Sequence, residues 1–284
     1  MGAIIGFKDI IGGATITLVN TGSVTALVLD GALANLKYRS LARNVTITAS
    51  DFGTGGEAIV RCACFGNVRV AALAGVAGAS SENVSAIECR AYNGATLLET
   101  VSITGKALLL DEQRESLVVP FVFSTTLDVS RIDFVFAIAP GYPAEFSIGR
   151  AVAMRGVYLA HGFGRDWEID HDDTSEVAYV GRYGSPSVLR GATFRKITAP
   201  IPLASETLLF GDGLTTSYNQ NLDDFVRYVG RGDDVLIVPR TSASAGDLFK
   251  QRASILGLLD NPLPNFKHRA GRLWNTSITV REAR

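Results

Sequence analysis

Between Arg190 and Arg240 the chain changes its hydrophobic period twice, and no other stretch constrains the architecture as strongly. Thr193 to Ile197 alternates as a strand does. A polar loop follows through Ser205 and Gly211-Asp212-Gly213, and Leu222, Phe225, Val226 and Val229 then recur at i, i+3, i+4 and i+7. That spacing puts four apolar side chains on one helix face. Val235 to Val238 returns to an extended apolar run, stopped by Pro239. The stretch reads as β-loop-helix-β, with Asp223 and Asp224 at the positive end of the helix. Asp224, Arg227 and Tyr228 lie off the apolar face and are candidate interface residues.

Elsewhere the pattern is extended. Strands are expected at 15–19 and 26–29, divided by a turn at Asn20-Thr21-Gly22-Ser23, and at 44–49 and 59–65, divided by a flexible turn at Gly53-Thr54-Gly55-Gly56. Ala71 to Ala79 reads as loop with a turn of helix, since Gly75 and Gly78 weaken a longer one. Further strands follow at 84–92, 118–123, 132–138, 146–154 and 157–160. Phe121 and Phe123 share a face, as do Ile132, Phe134, Phe136 and Ile138, which supplies one side of a sandwich core. Regularly spaced strands of this kind predict an antiparallel β-sandwich or jelly roll.

The expected chain is therefore mainly β: an N-terminal segment at 1–13, a jelly-roll-like sandwich at 14–160, a linker at 161–174 and a smaller α+β domain at 175–284. The last domain adds strands at 177–180, 187–189 and 277–281, while 248–259 fits helix or strand equally. A length of 284 residues suffices for two such cores.

Hydrophobic residues make up 47% of the chain and charged ones 19%, below usual soluble composition, which suits a turn-rich β protein with surface buried against partners. A formal net charge of -1 leaves no electrostatic case for nucleic acid or an anionic membrane. No window approaches the ~18 uninterrupted apolar residues of a membrane span, and Lys8 and Asp9 break the apolar start, so no signal peptide is expected. The sequons at Asn44, Asn83 and Asn275 then read as chance matches. Cys62 and Cys64, two apart on a strand, are about 7 Å from each other on one face, too far for a regular disulfide. A bridge from either to Cys89 stays open, but buried free thiols of a reducing compartment are the plainer reading of all three.

Two phrases, Lys37-Tyr38-Arg39-Ser40-Leu41-Ala42-Arg43-Asn44-Val45 and Phe146-Ser147-Ile148-Gly149-Arg150, resemble segments of tail-tip or baseplate proteins of long-tailed, siphovirus-like bacteriophages whose first domain is a carbohydrate-module-like jelly roll. The order Phe194-Arg195-Lys196-Ile197, Ser205-Glu206-Thr207, Leu222 to Val229 and Val235 to Pro239 is similar to a β-loop-helix-β module of distal tail proteins. The resemblance implies a structural virion protein, made in the bacterial host cytoplasm and assembled as a homo-oligomer. Its partners would be the tail tube, hub and receptor-binding proteins. It supplies no catalytic residue and no cofactor; the alternative is a carbohydrate-binding module used in host attachment.

The chemistry-bearing residues are sparse. His161, Asp170, His171, Asp172 and Asp173 combine ligands for a hard cation with imidazole, but no EF-hand or zincin spacing is present. A solvated linker is the plainer reading. Trp167, Tyr179 and Tyr183 are candidates for a sugar-stacking platform, against the commoner core or interface role of such rings. No Gly-x-Ser-x-Gly elbow occurs and only three histidines exist to serve as base, so enzyme activity is not expected.

Overall fold

The structure, a computed structural model, describes residues 2–39, 43–79, 83–104, 118–141, 143–173, 176–180, 185–189, 193–211, 221–230, 232–242, 247–260 and 264–282. The chain is mainly β. The first half comprises β1 (Ala3–Asp9), β2 (Thr15–Asp30), β3 (Val45–Ala74), β4 (Val84–Asn93), β5 (Thr96–Thr104), β6 (Val118–Ile138), β7 (Ala144–Ile148) and β8 (Arg150–Leu159). Next come β9 (Glu168–Asp173), the hairpin β10 (Glu176–Val180) and β11 (Ser185–Leu189), β12 (Thr193–Ser205), α1 (Glu206–Phe210) and α2 (Leu222–Tyr228). β13 (Asp234–Val238), α3 (Asp247–Ala253), β14 (Ile255–Leu259), β15 (Lys267–Ala270) and β16 (Leu273–Glu282) complete it. Apart from the β10–β11 pair, all strands join one antiparallel network whose main path is β5-β4-β6-β3-β8-β1-β13-β14-β16-β12-β9.

β3 organises the first half by turning a corner. Its residues Val45–Ala49 pair with β7, Gly56–Ala74 with β6, and β2 follows it round the bend. The Gly53–Gly56 segment, expected as a turn, continues the strand. Gly22 and Gly56 face each other there, and a Cβ on Gly22 would lie 2.7 Å from the Gly55 carbonyl oxygen. Gly22, at φ 65°, also needs the left-handed backbone that glycine adopts without penalty. The Asp51 carboxylate pins the corner by accepting from Ser23 Oγ and, at 2.9 Å, from Gly53 N–H. These hydrogen bonds hold its pKa below the usual carboxylate value. Asn20–Ser23 likewise lies within β2, which bulges after Gly22 instead of reversing.

Phe136 of β6 stacks on Phe146 of β7 at 4.3 Å between ring centroids, although the two strands are not paired. Their rings meet across the core, which also buries Phe121, Phe123, Phe134 and the three free cysteines. The alternation at 118–123 and 132–138 thus marks core faces, in one long strand where two short ones are expected. β5 and the strand character of Ala71–Ala74 are not anticipated by the sequence pattern.

The second half has its own core beneath α2. Leu222, Phe225 and Val229 are buried and Val226 packs beside them, as the helical spacing predicts. Asn221 caps α2, its side-chain oxygen accepting from Asp224 N–H at 2.7 Å. The ambiguous 248–259 stretch resolves into both alternatives, α3 followed by β14.

β1 joins the halves. It pairs with β8 on one side and β13 on the other. Ala3, Ile5 and Phe7 face the α2 core, while Ile4 belongs to a further cluster with Val70, Val152, Leu236 and Val238. A strand buried on both faces carries no alternation, which is why Ala3 to Phe7 shows no strand signal.

Candidate functional site

Two features stand out from the structural frame, a charged cleft where β1 meets its neighbours and a long strand edge that is unpaired among the described residues. The cleft begins with an irregularity in β1. Pairing with β8 runs regularly to Phe7 and resumes at Asp9, leaving Lys8 as an extra residue at φ 58°, the one positive-φ non-glycine among the described residues. Such a bulge costs strain and redirects the side chains next to it.

Asp9 is thereby turned inward. Its Oδ1 accepts from Ile11 N–H and Ala153 N–H, each at 3.0 Å, and its Oδ2 lies 3.7 Å from Arg150 Nη2. Burial outweighs these partners and pushes its pKa up to about 6. Arg150, 3% exposed, also donates from Nη2 to Asp234 Oδ2 at 2.5 Å. Asp234 Oδ1 in turn lies 2.9 Å from Arg39 Nε. Arg150 Nε and Nη1 have no hydrogen-bond partner among the described residues. Above this buried group opens a cavity of about 520 Å³, lined by Lys8, Gly12, Lys37, Tyr38, Arg39, Tyr228 and Asp233. Lys8 Nζ sits 4.3 Å from the Tyr228 ring centre.

The strand edge belongs to β2. Among the described residues β2 is paired on one side only, with β3, along its 16 residues. Its single charge is Asp30 at the end, and its outward side chains include Leu27 and Leu29, 49% and 53% exposed. β9, another edge, contrasts with it. It is six residues long and carries Glu168, Asp170, His171, Asp172 and Asp173, the charged blunting that keeps an edge from pairing with strangers.

The acidic run expected as linker is therefore largely strand. Pairing with β12 sets Asp170 opposite Lys196 and His171 opposite Arg195. Strand alternation turns Asp170 and Asp172 to one face and His171 to the other, and His161 lies in the preceding turn, exposed. Asp170 and Asp172 help raise the pKa of Lys196, after the dominant hydrogen bond and charge of Asp260. Among the described residues no group of three or more His, Cys, Asp or Glu gathers at metal-binding range. The side chain of Asp173 lies outside the described set.

The aromatic candidates are not brought together. Trp167 packs against the α2 core and meets Phe249 edge-on at 6.5 Å. Tyr179 is placed by its backbone opposite Pro186 in the β10–β11 hairpin, with its side chain outside the described set, and Tyr183 lies outside the described residues altogether. Of the α2 candidates, Asp224 accepts from Asn221 Nδ2 at 2.9 Å. Arg227 is exposed and paired with Asp223 at 2.7 Å, and Tyr228 lines the cleft. Lys8, Lys37 and Tyr38 are absent from the sequence-based candidates. The nearest signal was Lys8-Asp9, a charged pair breaking an apolar run.

No family model matches the chain, and no curated protein matches it. Among solved structures it is similar to the family 32 carbohydrate-binding module of Clostridium perfringens NanJ in complex with galactose, at 15% identity and a TM-score of 0.30, over 49% of this chain and 99% of that one. It is also similar to the enzymatically active domain of tailspike protein 4 of bacteriophage CBA120, at 10% identity and a TM-score of 0.31, over 51% of this chain and 19% of that one. Overlaps this loose carry no inference of function.

Proposed function

We propose that this protein is a structural, non-catalytic component of a bacteriophage tail tip or baseplate, working through contacts with copies of itself and with neighbouring tail proteins. The β2 edge carries the reading. A 16-residue strand paired on one side only among the described residues, with one terminal charge and outward leucines, is what soluble monomers avoid, because the N–H and C=O groups of such an edge accept a strand from another chain. The low charged fraction of the sequence supports the same conclusion.

The test is the mass and shape of the native assembly by electron microscopy and light scattering, for wild type and for Leu27→Lys with Leu29→Lys. The expected result is an oligomer, or a complex with tail proteins, that dissociates in the double variant while each chain stays folded. A wild-type chain that remains monomeric and binds no tail component at high concentration sinks the proposal.

A further inference from the structure

We propose that the cleft at the β8-β1-β13 junction binds a small carboxylated sugar of the uronate type, its carboxylate held by Lys8 and Lys37 and its ring set against Tyr38.

The charge balance of the cleft selects an anion. Asp9 and Asp234 are engaged with Arg150 and Arg39, and Asp233 accepts from Gly230 N–H at 2.9 Å. Lys37 has no ion-pair partner among the described residues, and Lys8 has only the Tyr228 ring. Below them Arg150, almost wholly buried, keeps Nε and Nη1 without hydrogen-bond partners among the described residues. Lys8, Lys37, Arg39 and Arg150 thus face Asp9, Asp233 and Asp234, and with both arginines paired the surplus positive charge sits at the lip, on Lys8 and Lys37. Arg150 beneath is held at a cost, since burying a guanidinium whose N–H groups are not all matched is unfavourable.

Shape selects a compact ligand. The cavity volume of about 520 Å³ suits one or two sugar rings. An acidic peptide is the competing occupant, but β1 is paired on both sides, with β8 and β13, and leaves it no backbone edge along which to extend. Tyr38, 50% exposed, has the Arg43 guanidinium 5.3 Å from its ring centre on one face and leaves the other to a sugar ring, whereas Tyr228 is already engaged by Lys8 and Phe7. The strained Lys8 backbone, at φ 58°, is what aims its ammonium over Tyr228 at this wall.

This proposal does not rest on the assembly role. Isothermal titration of the full chain with glucuronate and galacturonate, against glucose, acetate and an acidic peptide, tests it. The expected result is saturable uronate binding, at least tenfold tighter than glucose or acetate, and weakened tenfold or more by Lys37→Ala and by Tyr38→Ala. Tyr38 is exposed and Lys37 half-buried, and unchanged thermal melts verify the folding of both variants. The Leu27→Lys, Leu29→Lys variant keeps uronate affinity, which separates failure at the cleft from failure at the edge. Absence of uronate binding, equal binding of acetate, preference for the peptide, or full affinity in folded Lys37→Ala each overturns the proposal.

Discussion

Phe225 of α2 meets Phe7 of β1 edge-on, with ring centroids 5.5 Å apart and planes at 79°. The contact ties the only helix legible in the sequence to a strand that shows no local signal, and both rings are fully buried. Removing either ring opens a cavity in the α2 core. Phe225→Ala is expected to cost about 3–5 kcal/mol in denaturant unfolding, and Phe7→Ala a similar amount. The double variant should cost less than the sum, because the pair shares one cavity. A Phe225→Ala cost under about 1 kcal/mol would show that the helix is not packed on β1.

Asp9 gives stability a pH dependence with a defined sign. Its folded pKa of about 6 lies above the ordinary aspartate value of 3.8. Between those values the folded chain holds a proton that the unfolded chain has released, so the contribution is present below about pH 4 and lost as pH rises through about 6. Asp9→Asn keeps the acceptor for Ile11 and Ala153 N–H but cannot ionise. Wild type should lose about 2 kcal/mol relative to Asp9→Asn between pH 4 and pH 7. A flat difference curve from urea melts would remove Asp9 as the cause.

Glu282 closes the end of β16 onto β12. Its carboxylate accepts from Arg195 Nε at 3.0 Å and Nη2 at 2.5 Å, and from Arg195 N–H at 3.2 Å, while almost fully buried. Glu282→Ala strips a partly buried guanidinium of this carboxylate and should cost about 3 kcal/mol. Glu282→Gln, which keeps one acceptor oxygen, should cost less. Guanidinium melts of the two variants give the order directly.

The three thiols should be silent in the native protein. Cys62, Cys64 and Cys89 are buried and free. Burial pushes Cys64 up to about 11 and raises the other two further. A thiol reagent at pH 8 is expected to label none of them until denaturant is added, and then all three. Rapid labelling of the folded chain would contradict the described core.

The amino-acid sequence by itself determined the β-rich class, the core faces of Phe121, Phe123, Phe134 and Phe136, the α2 face and the absence of a Cys62–Cys64 bridge. Each of these rests on local period or on short-range geometry, which neighbouring residues encode. Tertiary structure alone decided the rest. Gly53–Gly56 is compatible with a turn or with a strand corner, and the facing backbone of β2 selects the corner. Ala3 to Phe7 is buried on both faces, so no alternation announces it as the strand that joins the halves. The acidic run at Glu168–Asp173 reads as linker until β12, with Lys196 opposite Asp170, supplies a pairing edge. The cleft had no sequence signature because its parts are distant in the chain, with Asp234 84 residues from Arg150 and Asp9 144 residues from its partner Ala153. Only the closing of β8, β1 and β13 into one sheet brings those charges within reach of each other.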